Sequence, residues 1–224
     1  MDCFTKNRDI LNHHLVVSLG YNCYIKRFMS YLDISRETDI FDYVGTPMWA
    51  INQLIESDFK DLDESDDGLQ DSVFQHLNIY GHRVVTNMQY YMRFAHDLKE
   101  PSDVKNKEFC AKLGRRIERF RQHLQTDKGL IFLRLQEKQS GRTVLHRERY
   151  CNSEYEETVR FAKLIGERVK CPYLVVYINK DLDAYDQGVL AIKAVDCDRW
   201  SWHNCIHHLK RLFSKTPLPE LISK

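Results

Sequence analysis

Ser18-Leu19-Gly20-Tyr21-Asn22-Cys23 is the stretch whose residue types and order carry the most chemistry. A short β-rich run (His14 to Leu19) ends at Gly20, the chain turns, and Cys23 falls where a helical pattern begins. A thiol at a helix N-terminus meets unpaired backbone N–H groups and the positive end of the helix dipole, which is expected to favour thiolate. The same N–H groups suit a phosphate, so Ser18, Gly20, Tyr21 and Asn22 are candidate ligand-binding residues as well as neighbours of a nucleophile. The plain structural alternative is a small thiol packed inside a tight turn, as free cysteines commonly are.

Acidic pairs offer a different chemistry. Asp196-Cys197-Asp198 and Asp181-Leu182-Asp183 each follow an apolar strand-like run. A D-x-D beyond a strand can hold Mg²⁺ or Mn²⁺ against a diphosphate, so Asp196 and Asp198 are the metal candidates of a sugar-nucleotide reading; solvated loops explain both pairs equally simply. Asp63 to Gly68 begins like a calcium loop, but position 12 is Phe74 where the bidentate carboxylate belongs. Cys197, His203, Cys205, His207 and His208 cluster without a zinc-site spacing. Arg115, Arg116, Arg119 and Arg121 could bind phosphate, although a solvated helix face accounts for them as well.

These residues need a scaffold, and the pattern of apolar residues supplies one. Ile25, Phe28, Met29 and Leu32 recur at helical spacing. Ile40 to Val44 reads as a second strand, and Thr46-Pro47 as the N-cap and first position of a helix carrying Ile51, Leu54 and Ile55. Arg83 to Thr86 is a further short strand candidate, Glu108 to Gln125 a helix, and Leu130 to Leu135 a buried strand. A helix through Tyr155, Val159, Ala162 and Ile165 leads to a strand at Tyr173 to Ile178, another at Val189 to Val195, and a last helix through Ile206, Leu209 and Phe213. Such alternation predicts one α/β domain over residues 1–224, a central parallel or mixed sheet flanked by helices in a Rossmann-like three-layer arrangement. Its ligands would sit outside the carboxyl ends of the strands, where the Gly20 loop lies.

Composition narrows the function classes. The 224 residues carry 33 Lys plus Arg against 32 Asp plus Glu, a net charge of +1, which argues against a nucleic-acid binder built on bulk positive charge. Apolar runs fall far short of the ~20 residues needed to span a bilayer, and no signal-peptide h-region precedes the first polar residues. Seven cysteines without a C-x-x-C pair fit reduced thiols in the cytoplasm better than a secreted disulfide framework.

The stretch from Val16 to Val44 resembles the opening of the putative papain-like cysteine peptidase family, whose members begin with a strand, an S-L-G-x-x-C loop, a helix and a Phe-Asp-aromatic segment. Phe41-Asp42-Tyr43 matches that segment, although Ile40 stands where the family usually has Pro and Tyr43 where it has Trp. Phe94-Ala95-His96-Asp97, Arg115 to Phe120 and Leu130 to Arg134 continue the resemblance, which spans most of residues 15–135. It implies Cys23 as nucleophile and His96 as base, with Asp97 or Asp42 to orient the imidazole. Asp42, expected near the end of a strand beside the first, is at least as suitable as Asp97, because sequence neighbours often point apart.

A thiol hydrolase or acyl-transfer enzyme without a cofactor is therefore the first expectation. Its substrate would be a peptide or acyl compound, and N–H groups near Asn22 and Cys23 would hold the oxyanion. The rivals are a glycosyltransferase using the Gly20 loop and Mg²⁺ or Mn²⁺ on a sugar-containing substrate, and a non-catalytic binding protein. Fold alone does not decide between them.

Overall fold

A computed structural model describes residues 2–20, 23–34, 37–63, 73–77, 83–94, 96–136, 153–197, 200–201 and 203–222. Helix α1 (Cys3–His13) leads into strand β1 (Leu15–Ser18), and helix α2 (Tyr24–Tyr31) follows the Gly20 loop. Helix α1 has little apolar patterning; what starts it is the Asp2 side chain, which accepts from the Thr5 N–H at 2.8 Å. Further on come α3 (Met48–Glu56), α4 (Lys60–Asp63) and the long α5 (Lys107–Leu124), the last capped by Asn106. Strand β6 (Leu130–Leu135) precedes α6 (Glu154–Arg168), which opens on a capping box between Ser153 and Glu156. The chain closes with β7 (Tyr173–Asn179), β8 (Ala184–Asp186), β9 (Val189–Lys193) and α7 (Cys205–Phe213).

The main sheet runs β1-β6-β7-β9-β8. Its first four strands are parallel, and β8 joins antiparallel through a two-residue turn at Gln187-Gly188, both at positive φ as a tight hairpin requires. The central strands β6 and β7 are buried on both faces, so each alternate set of side chains enters a different core. Val16, Ile131, Leu133, Leu174 and Val176 pack with α1, α2 and α7. Val17, Leu130, Phe132, Val175 and Tyr177 pack with α3, α5 and α6. This is the expected α/β architecture with a mixed sheet covered by helices on both sides.

One expected strand is corrected. Ile40 to Val44 does not join β1: residues 40–43 form a turn, and the chain then enters β2 (Val44–Gly45), a two-residue strand of a separate antiparallel sheet. That sheet has the order β2-β5-β4-β3, with β3 Val73–Leu77, β4 Arg83–Asn87 and β5 Arg93–Phe94. The reason is local. The Asp42 carboxylate reaches back to accept from the Asp39 N–H at 2.8 Å, and Tyr43 sits at φ +61°, which no extended strand tolerates. Asp42 is consequently a turn residue of the second sheet's entry rather than a strand-end neighbour of β1.

Candidate active site

Two contacts lay the Cys23 segment onto the 41–44 turn. Before the cysteine, Gly20 (φ +67°) approaches so closely that an added Cβ would stand 2.7 Å from the Phe41 carbonyl oxygen and 2.8 Å from that of Val44. Only glycine permits both the conformation and the approach. After the cysteine, Lys26 on α2 ion-pairs through Nζ with Asp42 Oδ2 at 2.9 Å, both side chains buried, and the same ammonium donates to the Glu37 carbonyl. Cys23 lies between these tethers on one segment and Tyr43 between them on the other.

Arg134 fixes the same junction from below. It is completely buried on β6, on the face shared with Leu130 and Phe132. Its Nη1 donates to the carbonyls of Leu19 at 2.7 Å and Thr46 at 2.8 Å, while Nε and Nη2 engage Glu154 Oε1 at 2.8 and 2.7 Å. The guanidinium therefore joins the end of β1, the exit of β2 and the start of α6. A rigid planar fork does this where a lysine's point charge would not.

His96 arrives from the second sheet. The register pairs Val44 with Phe94 and Gly45 with Arg93, so the residues just beyond β5 come alongside the residue just before β2. The His96 ring meets the Tyr43 ring edge-on, with centroids 5.7 Å apart at 76°. Among the described residues the imidazole makes no hydrogen bond to Cys23, Asp42 or Asp97. Its side chain is exposed, and catalytic hydrogen bonds often close only on the bound substrate.

Neither carboxylate orients His96 in this state. Asp97 turns toward α5, held by Lys112 at 2.5 Å and Arg116 at 2.7 Å. Burial opposes its ionisation, but those two partners outweigh burial and hold the carboxyl below its ordinary range. Asp42 is committed to Lys26 and the Asp39 N–H; burial nevertheless pushes its pKa up, the Lys26 charge offsetting only part of that cost. Asp39 beside it is raised to about 7 by burial and by the Asp42 charge.

The thiol departs from expectation. Cys23 is the N-cap of α2, but its side chain caps no N–H. Burial pushes its pKa up to about 11, with Cys205 adding to the rise and its own backbone N–H and Arg27 pulling the other way. Desolvation thus outweighs the helix terminus. At pH 7 roughly one thiol in ten thousand would be ionised.

The remaining candidates separate cleanly. Ser18 is buried, and its Oγ accepts from the Gly20 N–H at 3.2 Å, a loop-internal bond. Tyr21 and Asn22 lie outside the described residues, as do Asp198 and most of the Asp63–Gly68 stretch. Two carbonyl oxygens face Gly20, which is the wrong polarity for a diphosphate. Asp196 accepts from the Trp200 indole at 3.2 Å, and Asp183 from the Lys193 N–H at 2.6 Å. Among the described residues no three His, Cys, Asp or Glu side chains are grouped to hold a metal ion. Cys197 and Cys205 are buried while His203 and His207 are exposed. The arginines of α5 are mostly cross-links rather than a solvated face: Arg116 holds Asp97, Arg119 holds Glu37, and Arg121 holds Asp58, leaving Arg115 exposed. Six described cysteines are free thiols, and no described helix is long and apolar enough to cross a membrane.

Tyr43, Lys26 and Arg134 are residues of the site that the sequence did not single out for a role. Two of them left a trace in the sequence: a lysine on the apolar side of α2, one turn after Cys23, and an arginine inside the otherwise apolar run Leu130 to Leu135. A buried charge in such a place requires a partner.

Comparison with known families gives one match. The family described as "Putative papain-like cysteine peptidase (DUF1796)" matches residues 14–148, more than half of the chain and a range that includes Cys23, Asp42, Tyr43 and His96. No curated protein and no solved structure matches.

Proposed function

The chain belongs to the putative papain-like cysteine peptidase family, and on that premise we propose a thiol-dependent hydrolase or acyl-transfer enzyme acting on a peptide or related acyl substrate. Cys23 is its nucleophile and His96 its base. The observation that carries the reading is the convergence at Tyr43. The contacts of Gly20 and Lys26, which flank Cys23, fall on the 41–44 turn, and the end of β5 brings an exposed imidazole onto the Tyr43 ring of that turn.

The raised pKa of the thiol decides how such a site works. A preformed thiolate–imidazolium pair is not what a thiol of pKa about 11 provides. The sulfur attacks instead in step with loss of its proton to His96, the way a serine hydroxyl is activated by a neighbouring base. For this the imidazole has to leave the Tyr43 ring and meet the sulfur when substrate fills the site, and exposed side chains change rotamer on the nanosecond scale.

Acyl trapping tests the assignment. Brief incubation with an activated ester, followed by acid quench and peptide mass spectrometry, should leave one acyl group per chain on the fragment containing Cys23. Acylation centred on the exposed Cys110, with none at Cys23, would refute it.

A further inference from the structure

We infer that the Tyr43 hydroxyl donates the hydrogen bond that holds the oxyanion formed when Cys23 attacks a carbonyl. The inference rests on the thiol-hydrolase reading above and adds a residue to it.

The geometry begins with the two tethers. Gly20 lies against the carbonyls of Phe41 and Val44, and Lys26 pairs with Asp42. Cys23 is three residues from each tethered position on its own segment, while Tyr43 sits directly between Asp42 and Val44 on the other. The two residues therefore belong to the same stretch of the junction, near enough that an ionised Cys23 bears on the Tyr43 phenol. The Tyr43 ring is half-buried and meets the exposed His96 ring edge-on. Its backbone occupies the left-handed region at φ +61°, an unfavourable place for a bulky aromatic residue. The neighbours on either side, the buried Lys26–Asp42 pair and the Val44–Phe94 ladder, fix the backbone there, and strain of this kind gathers at functional sites.

The electrostatics suit a donor. Burial raises the phenol's pKa, and the negative charges of Asp42 and of an ionised Cys23 raise it further. The hydroxyl accordingly keeps its proton throughout the working range and offers an O–H where negative charge develops.

The step balances as follows. The Cys23 sulfur forms a bond to the carbonyl carbon, its proton passes to His96, and the C=O π pair moves onto oxygen, which accepts from the Tyr43 O–H. Re-formation of C=O expels the leaving amine or alkoxide, which takes the proton from His96 and leaves a thioester on Cys23. Water then attacks the thioester, delivers one proton to His96, and releases the acid as the sulfur recovers that proton.

Tyr43→Phe keeps the ring, the turn and the His96 contact while removing the donor. Two reactions at the same sulfur are compared: acylation by an activated ester, which passes through an oxyanion, and alkylation by iodoacetamide, which does not. The expected result is acylation slower by about 100-fold with alkylation within twofold of the parent. Equal loss in both reactions would make Tyr43 a residue that merely positions the thiol, and unchanged acylation would give it no role; either outcome overturns the inference. If the parent protein does not acylate Cys23 at all, the thiol-hydrolase reading falls first and takes this one with it, so the two failures are told apart.

Discussion

Replacing Cys23 by alanine should lower kcat/KM for an ester or peptide substrate by at least about 10⁴-fold without loss of fold. Removing a nucleophile leaves only the rate enhancement of binding and oxyanion stabilisation, which in hydrolases of this logic is a small remainder. The fold should survive because the side chain caps no N–H and is only partly buried. Circular dichroism melts would therefore nearly superimpose while turnover disappears. His96→Ala should cost somewhat less, about 10²- to 10⁴-fold, the range of a general base. Its side chain is exposed and its ring contact among the described residues is with Tyr43, so stability should change little. The double variant should be no worse than Cys23→Ala, because a base has nothing to activate once the sulfur is gone. Additive losses would mean that the two residues act in separate processes.

The second large effect concerns stability. Arg134→Ala should destabilise the protein by about 3–5 kcal/mol, because it strands two buried carbonyl oxygens and a partly buried carboxylate at once. Glu154, Leu19 and Thr46 all lose their shared donor, and a cavity opens beneath the junction of β1, β2 and α6. Arg134→Lys should recover little, since one ammonium cannot serve three differently placed acceptors. The check is a urea titration: a lower midpoint at unchanged slope reports lost stability. A loss under about 1 kcal/mol would mean that the guanidinium is not what holds the junction together.

Most of the main sheet was legible from the amino-acid pattern, and the reasons are physical. Leu130–Leu135 and Tyr173–Asn179 are buried on both faces, so they read as continuous apolar runs bounded by polar residues. Helices α5 and α6 carry clear apolar faces and side-chain caps. Helix α1 was illegible because it buries little beyond Asn7 and Leu11, leaving the Asp2 cap as its sole local signal. Of the second sheet only β4 was legible, as the run Arg83 to Thr86. Two of its strands are two residues long and are defined by pairing partners some fifty residues away, which no local period records.

The site was half legible. Cys23 and His96 stand out as residue types in a recognisable order, but the meeting of the Tyr43 and His96 rings depends on that second sheet. Sequence position also suggested an activated thiolate, because a helix N-terminus is readable from pattern whereas burial around one sulfur is not. Helix α2 begins at Cys23, and His96 follows the antiparallel strand β5.

The claim at the centre of this account is that the sulfur is protonated at rest and loses its proton to His96 only as it attacks. The pH dependence of two reactions at Cys23 tests it directly. Alkylation by iodoacetamide reports the free thiolate and should rise with a midpoint of about 11. Ester turnover should rise at clearly lower pH, and His96→Gln should abolish that lower limb while leaving the alkylation midpoint in place. An alkylation midpoint at or below neutrality, or turnover that follows the thiol up to about 11, would contradict the account.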